Sequence, residues 1–154
     1  MLTTDSKAPD FSAPDQLGKI HKLSGYKGSW VVLYFYPRDD TPGCTKEACS
    51  FRDSYRILQK MGVTILGVSK DSVKSHQKFA AKFNLNFPLL SDEDKQIIKS
   101  YNAWRNKKFM GREYEGTTRI TYLINPQGKI KKIYEKVNPL VHVQEIINDL
   151  KRES

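Results

Sequence analysis

Two continuous apolar runs constrain this chain more than any other feature. They are Trp30-Val31-Val32-Leu33-Tyr34-Phe35-Tyr36 and Val63-Thr64-Ile65-Leu66-Gly67-Val68-Ser69. Each has the length of one strand and neither alternates with polar residues. A strand of that kind is buried on both faces, so it belongs inside a sheet covered on each side. The cover is visible between the runs. From about Pro42 to Lys60, the residues Ala48, Phe51, Tyr55 and Leu58 recur at helical spacing and make one apolar stripe.

The rest of the chain fills in around that unit. The first 28 residues, rich in Pro, Gly and Asp, read as loop with small strands. A helix is expected from about Ser72 to Phe83, a short extended piece over 87–90, and another helix over 92–101. Residues 102–118 carry several Lys, Arg and Gly and read as a loop. Arg119 to Ile124 alternates and ends at the turn signal Asn125-Pro126-Gln127-Gly128, so Lys129 to Lys136 completes a hairpin. Pro139 to Leu150 is a last amphipathic helix with Val143, Ile146, Ile147 and Leu150 inward. The expected class is α/β, a central mixed sheet flanked by helices on both faces. With 154 residues, no repeat and no long linker, one domain spanning 1–154 is expected.

No apolar run approaches the roughly 20 residues that span a membrane, and no secretory signal is visible at the N-terminus. A cytoplasmic protein is the expectation. The formal net charge is +9. Ten basic residues against three acidic ones lie between Lys99 and Lys136. Such a segment can attract nucleic acid or anionic partners. No nucleic-acid motif accompanies it, so a solvated surface is the simpler reading.

Both cysteines lie at the start of the first long helix, in Thr41-Pro42-Gly43-Cys44-Thr45-Lys46-Glu47-Ala48-Cys49. Two thiols in a chain of this kind point to redox or catalytic use rather than a structural framework. A thiolate is the nucleophile, and the unpaired N–H groups of a helix start favour it. Extending the apolar stripe back by four residues reaches Cys44, which places it against the core. Cys49 falls off the stripe, beside Arg52 and Arg56, on a more polar flank. Five residues of intact helix separate two Cα atoms by about 8.7 Å, beyond the roughly 7 Å a disulfide tolerates. The three histidines, His21, His76 and His142, are far apart and make no zinc set with the thiols. His76 reads as packing on a helix face, and His142 as surface or loop.

The element order, with a cysteine opening the first helix, is that of the thioredoxin-like fold. Thr41-Pro42-Gly43-Cys44 resembles the Thr-x-x-Cys signature of peroxiredoxins. Phe35-Tyr36-Pro37 before it and Thr45-x-Glu47-Ala48-Cys49 after it narrow the likeness to the Q-type, or bacterioferritin-comigratory, subgroup. It continues through Gly67-Val68-Ser69-x-Asp71-Ser72, Phe87-Pro88-Leu89-Leu90-Ser91-Asp92, Lys107-Lys108-Phe109-Met110-Gly111 and Arg119, over nearly the whole chain. The resemblance implies a peroxidase reducing hydrogen peroxide and organic hydroperoxides, with no metal, flavin or haem. It implies Cys44 as peroxidatic thiol, Cys49 as resolving thiol, Thr41 as a substrate-orienting hydroxyl and Arg119 as a positive clamp. Pro42 would shield the pocket and Glu47 would position the arginine. Thr41 and Glu47 also suit plain helix-start roles, a cap and a dipole partner.

The resemblance further implies a Cys44–Cys49 disulfide recycled by thioredoxin or a similar dithiol, in a monomer. Given the helical separation, the first turns must unwind for that bond to form. A general disulfide oxidoreductase fits less well, because the spacing is Cys-x4-Cys rather than Cys-x2-Cys. A redox-sensing or basic binding module using the same thiols is the alternative of a different class.

Overall fold

The computed structural model describes residues 2–153; residues 1 and 154, part of the expected domain range, lie outside the described residues. A small antiparallel pair, β1 (Ser12–Pro14) and β2 (Ile20–Lys22), comes first. The Asp15 carboxylate ties its turn by accepting from the Leu17 and Lys19 amides at 2.8 and 3.0 Å. There follow β3 (Trp30–Phe35), α1 (Pro42–Lys60), β4 (Val63–Ser69), α2 (Val73–Phe83), β5 (Leu89–Ser91) and α3 (Gln96–Ser100). Then come β6 (Trp104–Phe109), β7 (Arg112–Thr117), β8 (Ile120–Ile124), β9 (Ile130–Tyr134) and α4 (His142–Lys151).

The main sheet has the order β5-β4-β3-β8-β9. The strand β4 runs parallel to both β3 and β5, while β8 is antiparallel to β3 and β9 to β8. The two apolar runs are thus its central parallel neighbours, Trp30 opposite Val63 through Phe35 opposite Val68. Alternate residues of β3 feed opposite cores. Val32 and Tyr34 pack with Phe51 and Leu58 of α1, Phe79 of α2 and Val143, Ile146 and Leu150 of α4. Val31, Leu33 and Phe35 pack with Ile97 and Ile98 of α3, Tyr101 and the N-terminal Ala8 and Phe11. No described helix is long and apolar enough to cross a membrane.

The structure corrects three expectations. Residues 104–117 are not a loop but a two-stranded ribbon, β6 paired with β7 in register from Trp104–Thr117 to Phe109–Arg112. Met110 and Gly111 both have positive φ, 51° and 79°, the backbone a tight hairpin turn requires. The helix expected over 92–101 is only α3, because Lys95 is left-handed (φ 63°). The Asp92 carboxylate takes the Ile97 and Ile98 amides instead, at 3.2 and 2.8 Å. His142 is neither surface nor loop: it opens α4 at 1% exposure, with its Nε2 2.8 Å from the Thr121 hydroxyl. It sits edge-on to Phe51 and Tyr134.

The basic segment is partly neutralised. Arg105 pairs with Glu135, Lys131 with Glu153, Lys132 with Asp149 and Arg119 with Glu47.

Candidate active site

The chain leaves β3 through Tyr36 and Pro37 and turns over a buried carboxylate before entering α1. Asp39 accepts from the Tyr36 hydroxyl at 2.6 Å and from the Ser75 hydroxyl at 2.8 Å. His76 Nδ1 lies 2.7 Å from the same Asp39 oxygen as Ser75, and its Nε2 lies 3.0 Å from the Leu90 carbonyl. The ring is thus held between a carboxylate oxygen and a backbone carbonyl, both of them acceptors. The Asp39 amide in turn donates to Asp71 at 2.9 Å, which also takes the Ser69 hydroxyl. His76 is therefore more than packing: it helps fix the loop that delivers the helix start. Asp39, Asp71 and His76 gather their ligand atoms within 4.8 Å of one another, with those atoms engaged in these hydrogen bonds.

Thr41 sits at the N-cap position in extended conformation, yet its hydroxyl donates to the Arg38 carbonyl at 2.9 Å and caps no helix amide. Pro42 occupies the first helical position, where a missing N–H costs nothing. The first intrahelical bond runs from the Thr45 amide to the Thr41 carbonyl at 2.8 Å. The amides of Gly43 and Cys44 therefore belong to the unpaired positive end of α1. Cys44 is 1% exposed and packs in the core that holds Tyr34, Tyr36 and Phe51, on the inward stripe expected for it.

Arg119, the residue just before β8, brings its guanidinium over this helix start. One terminal nitrogen donates to Cys44 Sγ at 3.1 Å and the other to Glu47 Oε1 at 3.3 Å. The approach depends on Gly43, where a Cβ would lie 2.7 Å from the Arg119 Nη2. Glu47 is 1% exposed and its second oxygen has no partner among the described residues. Burial pushes its carboxyl up to about 7, against the opposing pull of Arg119. The Tyr34 hydroxyl, also buried and without a partner among the described residues, lies in the field of Glu47 and Cys44. Its ring is seated on Gly67, where a Cβ would come within 2.9 Å of it. Lys107 of the β6–β7 ribbon feels Arg119 and Cys44 from a further side, and burial together with Arg119 holds its ammonium below the usual lysine range.

The structure brings Thr41, Pro42, Cys44, Glu47 and Arg119 to one place. Cys49 stands farther along α1, partly exposed, and both thiols are free. Beside it, Arg52 donates to the Phe83 carbonyl at 2.7 Å, linking this flank of α1 to the end of α2. Gly43, Tyr34 and Gly67 contribute to the site without any mark in the local sequence; only the glycines' positions, next to Cys44 and within an apolar strand, hint at close approach.

A sulfur anion supported by a guanidinium and a helix start is well suited to attack a weak O–O bond, since the same donors receive charge on the departing oxygen. On a thioredoxin-like sheet this arrangement defines a thiol-dependent peroxidase. The AhpC/TSA family matches residues 4–133. The putative peroxiredoxin bcp of Coxiella burnetii is 49% identical over 149 residues, 97% of this chain and 99% of that protein. Peroxiredoxin Bcp of Escherichia coli K12 is 43% identical over 147 residues, 96% and 94% of the two chains. Among solved structures, PrxQ of Xylella fastidiosa superposes with a TM-score of 0.94 at 32% identity, covering 99% of this chain and 98% of that one. The Xanthomonas campestris bacterioferritin comigratory protein, described with an alkyl peroxide reduction activity, gives 0.91 at 35% identity over 99% and 98%. The chain belongs to the AhpC/TSA family, and within it to the peroxiredoxins of the Q, or Bcp, type.

Proposed function

We propose that Cys44 is the peroxidatic thiol and Cys49 the resolving one, in a cycle that reduces hydrogen peroxide and organic hydroperoxides. The observation that carries this reading is the 3.1 Å contact between the Arg119 guanidinium and a sulfur at the free end of α1. The Cys44 thiolate attacks the terminal oxygen of the peroxide and the O–O bond breaks. Sulfenic acid forms on sulfur, and the other oxygen departs as hydroxide or alkoxide. Arg119 and the free helix amides stabilise the departing charge. The Thr41 hydroxyl, at the mouth of the helix start, orients the substrate, and Pro42 covers the sulfur against water. The alkyl peroxide reduction described for the Xanthomonas campestris relative supports organic hydroperoxides as substrates.

Cys49 then attacks the sulfenic sulfur, releasing water and leaving a Cys44–Cys49 disulfide. An external dithiol reduces it by exchange; thioredoxin is the donor we propose. The protein works as a monomer, one catalytic domain, in the cytoplasm. The test is peroxide consumption coupled to thioredoxin and its reductase. Cys44→Ser is expected to be inactive. Cys49→Ser is expected to be oxidised once and then to stall with thioredoxin. Full turnover by Cys44→Ser overturns the assignment.

A further inference from the structure

Two acidic groups share one cation at the centre of the site. Cys44 Sγ and Glu47 Oε1 take the two terminal nitrogens of Arg119 at 3.1 and 3.3 Å. Both residues are 1% exposed. Two anions in a dry pocket with a single guanidinium repel each other, and ionising one opposes ionising the other. The second Glu47 oxygen, buried and without a partner among the described residues, is where a proton would sit. The hydroxyl of Tyr34, from β3, is likewise buried and without a partner among the described residues, and it lies in the field of Glu47 and Cys44. Burial raises the Tyr34 hydroxyl well above its ordinary range, so it stays protonated and acts as a neutral hydroxyl. Farther charges are Lys107, on β6, which feels Arg119, Cys44 and Lys70, and Asp39, which acts on Tyr34.

We propose that Glu47 is the proton store of the peroxidase step: it holds a proton while Cys44 is a thiolate and releases it to the departing oxygen as the sulfur becomes neutral. The balance closes within the site. Thiolate, Glu47 carboxylic acid and ROOH become sulfenic acid, Glu47 carboxylate and ROH. Sulfur gains the terminal oxygen and loses two electrons to the O–O bond, the alkoxide takes the carboxyl proton, and Arg119 faces one anion before and after. Glu47 acquires a function beyond orienting the arginine, and its carboxyl, raised to about 7, suits an exchange near neutral pH.

The proposal rests on Cys44 being the peroxidatic thiol, and the test separates the two. In Cys49→Ser protein, which stops at the sulfenic acid, one equivalent of hydrogen peroxide is added in weak buffer with a pH indicator at about pH 8, above the Glu47 value of about 7, so that the carboxylate left by the reaction does not take a proton back from solvent. Thiolate ultraviolet absorbance is read beforehand. With Glu47 intact, no net proton is expected to leave the solvent. When Glu47→Gln is added to Cys49→Ser, the same oxidation takes up one proton per sulfenic acid, because the departing hydroxide must draw on solvent. Infrared difference spectra should show a carboxylic acid band vanish on oxidation when Glu47 is present, and no such loss in the Glu47→Gln variant. Uptake of one proton with Glu47 intact and thiolate present overturns the proposal, as does an unchanged carboxyl band. Both readouts on the Glu47-containing protein decide it even if the Glu47→Gln variant folds poorly. Peroxide consumption by Cys44→Ser would instead overturn the underlying assignment of the thiol.

Discussion

A missing methyl group at Gly43 is what lets a side chain from 76 positions later reach the sulfur. Adding that carbon places it 2.7 Å from the Arg119 Nη2, and the arginine, being the flexible partner, must move. Gly43→Ala is therefore expected to lower the second-order rate constant with peroxide by about 10²-fold, the usual cost of losing one aimed donor. Stability should not fall with it, because Ala outranks Gly in a helix by up to about 1 kcal/mol. Stopped-flow oxidation and urea unfolding on the same sample check the split. Glu47 carries the opposite lesson. Its carboxyl rises from an ordinary value of 4.5 to about 7 in the folded protein. The folded state then binds more protons than the unfolded one between those values, so stability falls as pH rises from the lower value through the higher. The loss is on the order of 3 kcal/mol. Reduced Glu47→Gln protein should be more stable than wild type above pH 7, with the gap closing toward the carboxyl's ordinary 4.5; equal urea midpoints at high pH would contradict this. That Thr41, Cys44 and Arg119 would come together was legible through one motif and an ordered series of further matches. Gly43 and Tyr34 were not, because each owes its role to an atom supplied by a distant part of the chain.

At the scale of elements, α1 was legible almost to the residue, since a proline opens it and one stripe runs through it. The β6–β7 ribbon was not. Among the described residues its strands pair only with each other, and they leave most of their side chains in water, so neither shows the apolar alternation by which a half-buried strand is read. Its turn at Met110-Gly111 puts a methionine where asparagine or glycine is the usual signal. The start of α4 escapes the sequence for a related reason: a lone histidine after a loop gives no sign that Phe51, Tyr134 and Thr121 close over it. Burial holds His142 below its ordinary value of 6.5, against the opposing pull of Glu145. A depressed histidine is neutral when folded, so its contribution weakens as pH falls below 6.5 and the unfolded chain takes the proton. His142→Gln should flatten that part of the pH–stability curve; an unchanged slope would contradict the burial argument. For α1, the proposed disulfide requires its first turns to open. Hydrogen exchange across residues 43–52 is expected to quicken in the disulfide form, and unchanged protection there would exclude the unwinding.

For the whole molecule, the two apolar runs correctly placed a mixed sheet between two covered faces, and they lie side by side at its centre. The strand order and the N-terminal contribution to the second core were out of reach, because pairing between distant segments leaves no local trace. The net charge of +9 acts at this scale too. A neutral peroxide does not feel it, whereas an acidic protein reductant would be steered by it. Added salt is expected to lower kcat/KM for such a reductant while leaving oxidation by hydrogen peroxide unchanged. Equal salt responses in the two half-reactions would argue against steering.

The bonds that Asp39 makes to Tyr36, Ser75, His76 and Asp71 give the site a fixed post. When the helix start loosens, Cys44 stays on a leash about five residues long from that post, a reach of at most about 18 Å. Cys49 is the other thiol of the same helix, about 8.7 Å from Cys44 by helical geometry. A thiol on another molecule must come within that reach by diffusion, while the near one is always present at high local concentration. Fastening the loop outside the helix thus biases oxidation toward closing on itself rather than toward linking one molecule to the next.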